Sequence, residues 1–431
     1  PATVSRCGMV YMEQVHVGVL SLVRTWAGTT LKELTGLRNA NKMLAFIEAH
    51  LEATIDFLRY ECKEKVPTSN NQVTAELTNL VAAMLIKENV GFDEGEGPSK
   101  TLAEDMDLMY ALVVWATIWS AGANIVDADR EKFAGFVTGR FKPLMIPKFA
   151  LLLSEGPYDM YLDLKKKEVR SWQSLLPEFR YDTNQPYFNI LVPTVETTKY
   201  RYVLDRLMNS GCNVLFMAET GVGKSVVMSS FLNDMVAEGS TVSYVMGYSA
   251  QTKPANLRDV LESKLEKKRK TLLGPPSGKK MFLFVDDLNM PALETYGAQP
   301  PNELLRQIID QGGYYDTNKL FFKNVQDVVV CSAAAPPGGG RNEVSPRLLR
   351  HFHMVWLTNL SVKAMHTIFT AIVRGYMNIK LGSFVDLAEP MVHASVEIYM
   401  RIQQELLPTP SKSHYTFNLR DLSKVFQGLL M

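Results

Sequence analysis

The chain reads as an α/β protein with a five-stranded parallel sheet at its core, bracketed by all-helical blocks. Three observations predict this. Between residues 195 and 360, short apolar runs at 213–217, 241–247, 281–285, 327–333 and 353–357 alternate with helical spacing. Near-continuous hydrophobicity is what strands covered on both faces require. A glycine-rich loop, Ala218-Glu-Thr-Gly-Val-Gly-Lys-Ser225, directly follows the first run. On both sides of this region apolar residues recur at helical intervals, as in Leu44, Ile47, Leu51, Ile55 and Leu58.

At 431 residues the chain exceeds one ordinary core, so several domains are expected. Residues 1–27 read as the end of a domain, with an apolar strand around Met9 to Met12. Residues 28–155 form a helical block with a Gly95-Glu-Gly-Pro98 loop. Within it, Leu108 to Val126 carries no charge and reaches the length of a membrane span. Thr117, Ser120, Gly122 and Asn124 interrupt that run, and Asp105, Asp107, Asp127 and Asp129 flank it. A buried core helix ending near Gly122 is the better reading. Residues 156–194, rich in Pro, Tyr and charge, have linker composition. The sheet domain occupies 195–360, and its segment 257–270 reads as a charged helix with a solvated face. From 361 to 431 the chain is helical again, broken at Pro408 to Pro410, and it stops inside an amphipathic helix at Leu429-Leu-Met431. Both ends read as cuts in a longer protein.

Forty-six basic residues face 45 acidic ones, leaving +1. No global field favours nucleic acid or an anionic membrane. Cys7, Cys62, Cys212 and Cys331 show no zinc spacing. They read as reduced thiols, which fits the cytoplasm. His351-Phe-His353 lacks a third ligand nearby, so no transition-metal site is expected there.

The loop between a strand and a helix points backbone N–H groups at phosphates. Thr220, Gly221, Val222 and Gly223 would form the cradle. Lys224 would reach the outer phosphates, and the Ser225 hydroxyl would sit on Mg²⁺. The usual first glycine is Ala218, tolerable if φ stays negative. Some sixty residues on, Met281-Phe-Leu-Phe-Val-Asp-Asp287 ends a second apolar run in carboxylates. Asp286 would organise the Mg²⁺ shell and Asp287 would orient the attacking water. Glutamate is commoner at the latter position. The shorter aspartate predicts that nucleotide binds while hydrolysis is slow, because a misplacement near 1 Å costs about a hundredfold. Arg347 and Arg350 precede the last strand, where an arginine can serve a phosphate on a neighbouring module; a surface salt bridge is the plainer reading. Arg6, ahead of the Met9 run, has a similar setting, so the chain would hold the end of one module and most of the next.

Several long motifs resemble the dynein heavy chain family. They are Pro1-Ala-Thr-Val-Ser-Arg-Cys-Gly-Met-Val-Tyr11, Phe284-Val-Asp-Asp-Leu-Asn-Met-Pro291, Glu294-Thr-Tyr-Gly-Ala-Gln-Pro-Pro301, Pro336-Pro-Gly-Gly-Gly-Arg-Asn342 and Phe417-Asn-Leu-Arg-Asp-Leu422. The match is best to an axonemal heavy chain of inner-arm type. The resemblance implies AAA+ P-loop modules with helical lids, here the end of the second module and most of the third. It implies ATP or ADP with Mg²⁺ as cofactors and an adenine-lining segment at Val192, Pro193 and Thr194. Arg420 would be the lid's sensor arginine. Arg6 would act as a finger for the first module's site, and Arg350 for the second's. It further implies a minus-end-directed microtubule motor of cilia whose third module regulates the ring and hydrolyses weakly. A scaffold with a permanently bound nucleotide is the alternative. Partners would be adjacent modules, microtubules through a stalk, and intermediate and light chains through a tail. The setting would be cytoplasm, cytoskeleton and axoneme, without membrane or nucleic acid. Ala335 stands where many AAA+ proteins carry a polar sensor, for which Asn342 is a substitute.

Overall fold

A computed structural model describes residues 7–86, 102, 104–183, 185–187, 190–317, 320–412 and 415–430. Arg6 and the Gly95-Glu-Gly-Pro98 loop lie outside them. The chain divides into two compact units, residues 1–125 with 129–158 and 162–169, and the remainder to 431.

The first unit is helical. Its principal helices are α1 (Leu37–Glu61), α2 (Asn70–Leu85), α3 (Met106–Ile118) and α4 (Asp127–Phe141). Ser69 begins α2 by accepting from the Gln72 amide, which satisfies one of the free N–H groups of the first turn. The uncharged run is indeed a core helix, with Leu108 through Ile118 buried except Tyr110. It stops at Ile118, short of Gly122, whose missing Cβ would lie 2.5 Å from the Tyr158 hydroxyl. No helix among the described residues is long and apolar enough to cross a membrane.

The expected strand at Met9 to Met12 does not form; the segment is irregular and exposed, Tyr11 by 81%. A strand needs a pairing partner, and no described strand pairs with this run. The segment with linker composition is partly ordered into strands, Met160–Asp163 and Glu168–Ser171, followed by a short 3₁₀ turn that buries Trp172 fully.

The second unit is built on a parallel sheet of β1 (Asn213–Met217), β2 (Thr241–Gly247), β3 (Lys280–Asp286), β4 (Val328–Ala334) and β5 (Phe352–Trp356). The spatial order is β5-β1-β4-β3-β2. All five expected strands are present, with ends displaced by one residue at most. The interior strands bury Phe216, Phe282, Phe284 and Cys331 almost completely. Each such aromatic stabilises the fold by roughly 1.5–3 kcal/mol relative to exposure. Helix α5 (Val195–Asn209) precedes β1 and α6 (Lys224–Ala237) follows it; Phe231 of α6 stacks on Phe282 at 6.1 Å.

The charged helix is shorter than its composition suggests. α7 runs Pro254–Lys264, and Glu266–Arg269 is a strand. That strand joins a four-stranded sheet with Leu272–Gly274, Phe322–Val325 and Gly313–Tyr315, so non-local pairing overrides the local pattern. Helix α8 (Pro300–Gln311) leads into the last of these strands. A lid follows β5, comprising α9 (Val362–Lys380), α10 (Ala388–Glu405) and α11 (Leu419–Leu429). Phe369 and Phe426 stack at 4.4 Å in its core, and the Pro-rich break lies between α10 and α11.

Candidate nucleotide-binding site

The sheet order sets the site's spacing. β1 and β3 flank β4, so the groups after β1 and at the end of β3 stand two strand spacings apart, roughly 10 Å. Register pairs Met217 with Ala334 and Val285 with Ser332. The middle strand therefore finishes in small residues, Ala334 and Ala335, between the two functional ends. Ligands in open α/β sheets bind at this carboxyl edge.

The loop after β1 turns through Gly221 at φ +90° and Gly223 at φ +95° before α6 begins at Lys224. Gly221 is doubly constrained, because a Cβ would also lie 3.1 Å from the Asn418 side chain at the start of α11. Asn418 caps that helix and Asp421 returns the bond, so the capped start of α11 lies beside the loop.

A cleft of about 320 Å³ opens between the loop and the lid, within the usual range for small-molecule sites. Thr220, Gly221, Val222, Gly223, Lys224, Ser225, Asp286, Asp287, Val192 and Arg420 all line it. Apolar side chains of Ile190, Leu191, Ile368, Phe369, Ile372 and Leu419 complete the lining. The lining thus offers cations and amides to an anion and apolar side chains to a flat hydrophobic ring.

Lys224 Nζ donates to the carbonyls of Ala218 and Glu219, both at 2.9 Å. Burial, with the Arg341 charge next, lowers its pKa to about 8. Burial pushes the Asp286 carboxyl upward, opposed first by a hydrogen bond from the Ser225 hydroxyl. Serine and aspartate are thereby paired as hard oxygen donors, the chemistry a Mg²⁺ site needs. Asp287 adopts φ +55°, a region where aspartate is enriched among non-glycine residues. This turns the chain so that the Leu288 amide bonds the Ala333 carbonyl.

Other expected residues lie elsewhere. Pro193 and Thr194 are not part of the cleft lining. The Thr194 hydroxyl accepts from the Thr197 amide as the cap of α5, and Thr197 itself lines the cleft. Arg350 follows the short helix Pro346–Leu349 and grips Asp310 through both carboxylate oxygens at 3.2 Å; Arg347 is exposed nearby. Neither arginine lines this cleft. Asn342 donates its amide to the Pro291 carbonyl at 2.8 Å, which occupies the proposed substitute sensor. Its neighbour Arg341 is a charged cleft residue that pattern reasoning missed, as it missed Tyr187, Thr197 and Ser423. The available signal was an arginine directly after three glycines beyond β4.

Strand order, phosphate-loop geometry, paired carboxylates and a helical lid define a P-loop domain of the AAA+ class. A family model described as the P-loop containing dynein motor region matches residues 179–360. The dynein heavy chain AAA lid domain matches 43–174, and an AAA+ lid domain matches 391–431. The whole chain aligns with dynein axonemal heavy chain 6 of Homo sapiens at 39% identity, covering 10% of that protein. It also aligns throughout with dynein axonemal heavy chain 1 of Mus musculus at 36%, covering 11%, and with dynein axonemal heavy chain 2 of Homo sapiens at 32%, covering 9%. The chain belongs to the dynein heavy chain family and carries part of its AAA+ motor region. It spans about a tenth of the length of these relatives.

Proposed function

We propose that this chain supplies the third AAA+ module of an axonemal dynein heavy chain, of inner-arm type, together with the small subdomain of the second. The third module binds ATP or ADP with Mg²⁺ and regulates the motor ring, while its own hydrolysis is weak. The observation that carries this reading is the cleft that Lys224, Ser225, Asp286, Asp287 and Arg420 line together with apolar side chains. In the complete protein this region works within a minus-end-directed microtubule motor of the cilium, beside other modules and with accessory chains attached elsewhere.

The chain's own groups divide the work. Loop amides and Lys224 hold phosphate, and Arg420 brings the lid's charge to the same ligand. Ser225 and Asp286 would hold Mg²⁺, which neutralises phosphate charge when bound. Asp287 orients water; its short side chain and turned backbone suit it to slow turnover. Arg350 stays held by Asp310 through an exposed ion pair, a contact usually worth only about 0.2–1 kcal/mol, so it is free to exchange for a neighbouring module's phosphate.

Calorimetry of the 431-residue chain with Mg-ATP and Mg-ADP tests this reading. Binding that Lys224→Ala removes is expected, with little turnover. Absence of heat refutes nucleotide binding. Brisk hydrolysis abolished by Asp287→Asn refutes the regulatory role. Release of labelled nucleotide over seconds fits regulation, whereas retention for hours favours a permanently loaded scaffold.

A further inference from the structure

We propose that Arg341 is a phosphate-contacting residue of this cleft, supplied by the same chain, which lets the site distinguish a nucleoside triphosphate from a diphosphate. The proposal rests on the nucleotide reading above.

The position is built rather than incidental. Gly338, Gly339 and Gly340 have φ of +120°, +58° and +88°, a run that side chains rarely permit. Gly338 and Arg341 close the turn with reciprocal backbone bonds of 3.0 and 3.1 Å. Beyond it, the Asn342 amide bonds the Asn289 carbonyl at 3.0 Å, and the Asn342 side chain holds Pro291. Asn289 in turn donates to the Ala335 carbonyl at 2.7 Å. The turn is therefore fastened to the segment that leaves Asp286 and Asp287, and to the end of β4.

Arg341 lines the cleft with Lys224 close enough to act on its charge. Its Nε is buried and meets no acceptor among the described residues. A buried guanidinium N–H without an acceptor is costly, and the like charge of Lys224, offset in part by Asp286 and Asp287, adds to the cost. Both costs fall when an anion enters. The fork geometry of guanidinium suits phosphate oxygens. Lys224 is the lysine type that reaches the outer phosphates in this loop, so its partner Arg341 belongs with the terminal phosphate.

The test measures displacement of a fluorescent nucleotide by Mg-ATP and by Mg-ADP, for the 431-residue chain and for Arg341→Gln, Arg341→Met and Arg341→Lys. Arg341→Gln and Arg341→Met are expected to weaken Mg-ATP about tenfold or more, the scale of a charge-assisted bond. Mg-ADP should change less than about threefold, and Arg341→Lys should restore part of the Mg-ATP loss. Without nucleotide, Arg341→Met should melt no lower than the parent. Equal weakening of both nucleotides, or of neither, overturns the assignment. A lowered melting temperature in both Arg341→Met and Arg341→Lys overturns it too, because the residue is then structural. Failure of the parent chain to bind either nucleotide refutes the nucleotide reading instead.

Discussion

Two clusters of buried charge and amide, one in each unit, are arranged in opposite ways. In the helical unit Glu64 accepts from Arg59 at 2.6 Å, from the Thr68 hydroxyl at 2.7 Å and from the Asn124 amide at 3.1 Å. Its side chain is only 7% exposed. Every donor in the group finds an acceptor, although the Asn124 Oδ1 meets no donor among the described residues, and the bonds tie the loop after α1 to the turn after α3. In the P-loop cleft Lys224 reaches only backbone carbonyls and the buried Arg341 Nε meets no acceptor. Polar groups that satisfy each other are structure; a buried N–H left without an acceptor beside a second cation, with Asp286 and Asp287 only partly offsetting the charge, is a receptor. That contrast separates two sites that a composition count would treat alike.

The largest expected effect lies in the first cluster. Glu64→Ala removes the carboxylate shared by Arg59, Thr68 and Asn124, leaving Arg59 with Asn70 and Thr68, and Asn124 with the Val66 carbonyl. Breaking a buried pair costs about 3–5 kcal/mol. Hydrogen exchange in α1 and α2 should accelerate accordingly, while nucleotide affinity stays within about twofold. Lys224→Met should do the reverse, keeping or raising stability while abolishing the nucleotide-dependent rise in melting temperature. Similar destabilisation by both substitutions would erase the distinction.

A pH series sharpens the same contrast. In the free protein Lys224 has a pKa of about 8, below the ordinary lysine value near 10.4. The unfolded chain thus holds more protons between these values. The native state carries a penalty below pH 8 that is relieved as pH rises to about 10.4. Bound phosphate favours the ammonium form, so binding takes up a proton above pH 8. Mg-ATP affinity should be flat below pH 8 and then fall by up to about tenfold per pH unit, or about 1.4 kcal/mol. Titration calorimetry from pH 7 to 9.5 measures it. A flat profile through pH 9.5 places the charge elsewhere, and the slope should vanish in Lys224→Met.

The sequence made the sheet legible because its strands are continuous apolar runs that only a doubly covered sheet accommodates. The loop and carboxylates were legible because their chemistry fixes residue type and spacing. Glu266–Arg269 was not, since its lysines and arginine read as a solvated helix and its pairing extends to residues 322–325 through Leu272–Gly274. Met9 to Met12 failed for the converse reason: an apolar run without a described partner stays irregular. Arg341 was hidden because three consecutive glycines specify permissive backbone, not direction. The anchors at Asn289 and Pro291 that aim it lie some fifty residues away in sequence.

Thr194 gives the smallest and most discriminating test. Family resemblance assigns it to the adenine-lining segment, yet its hydroxyl caps α5 and its side chain is absent from the cleft lining. Loss of such a cap costs about 1 kcal/mol, and Thr194→Ser should retain most of that bond. Thr194→Ala should therefore lower stability by about 1 kcal/mol in denaturant titration and weaken nucleotide by less than about threefold through a loosened α5. Thr194→Ser should be near neutral in both. A tenfold loss of affinity in Thr194→Ser, with stability intact, would put this side chain on the ligand and move it from the self-satisfied class to the receptor class.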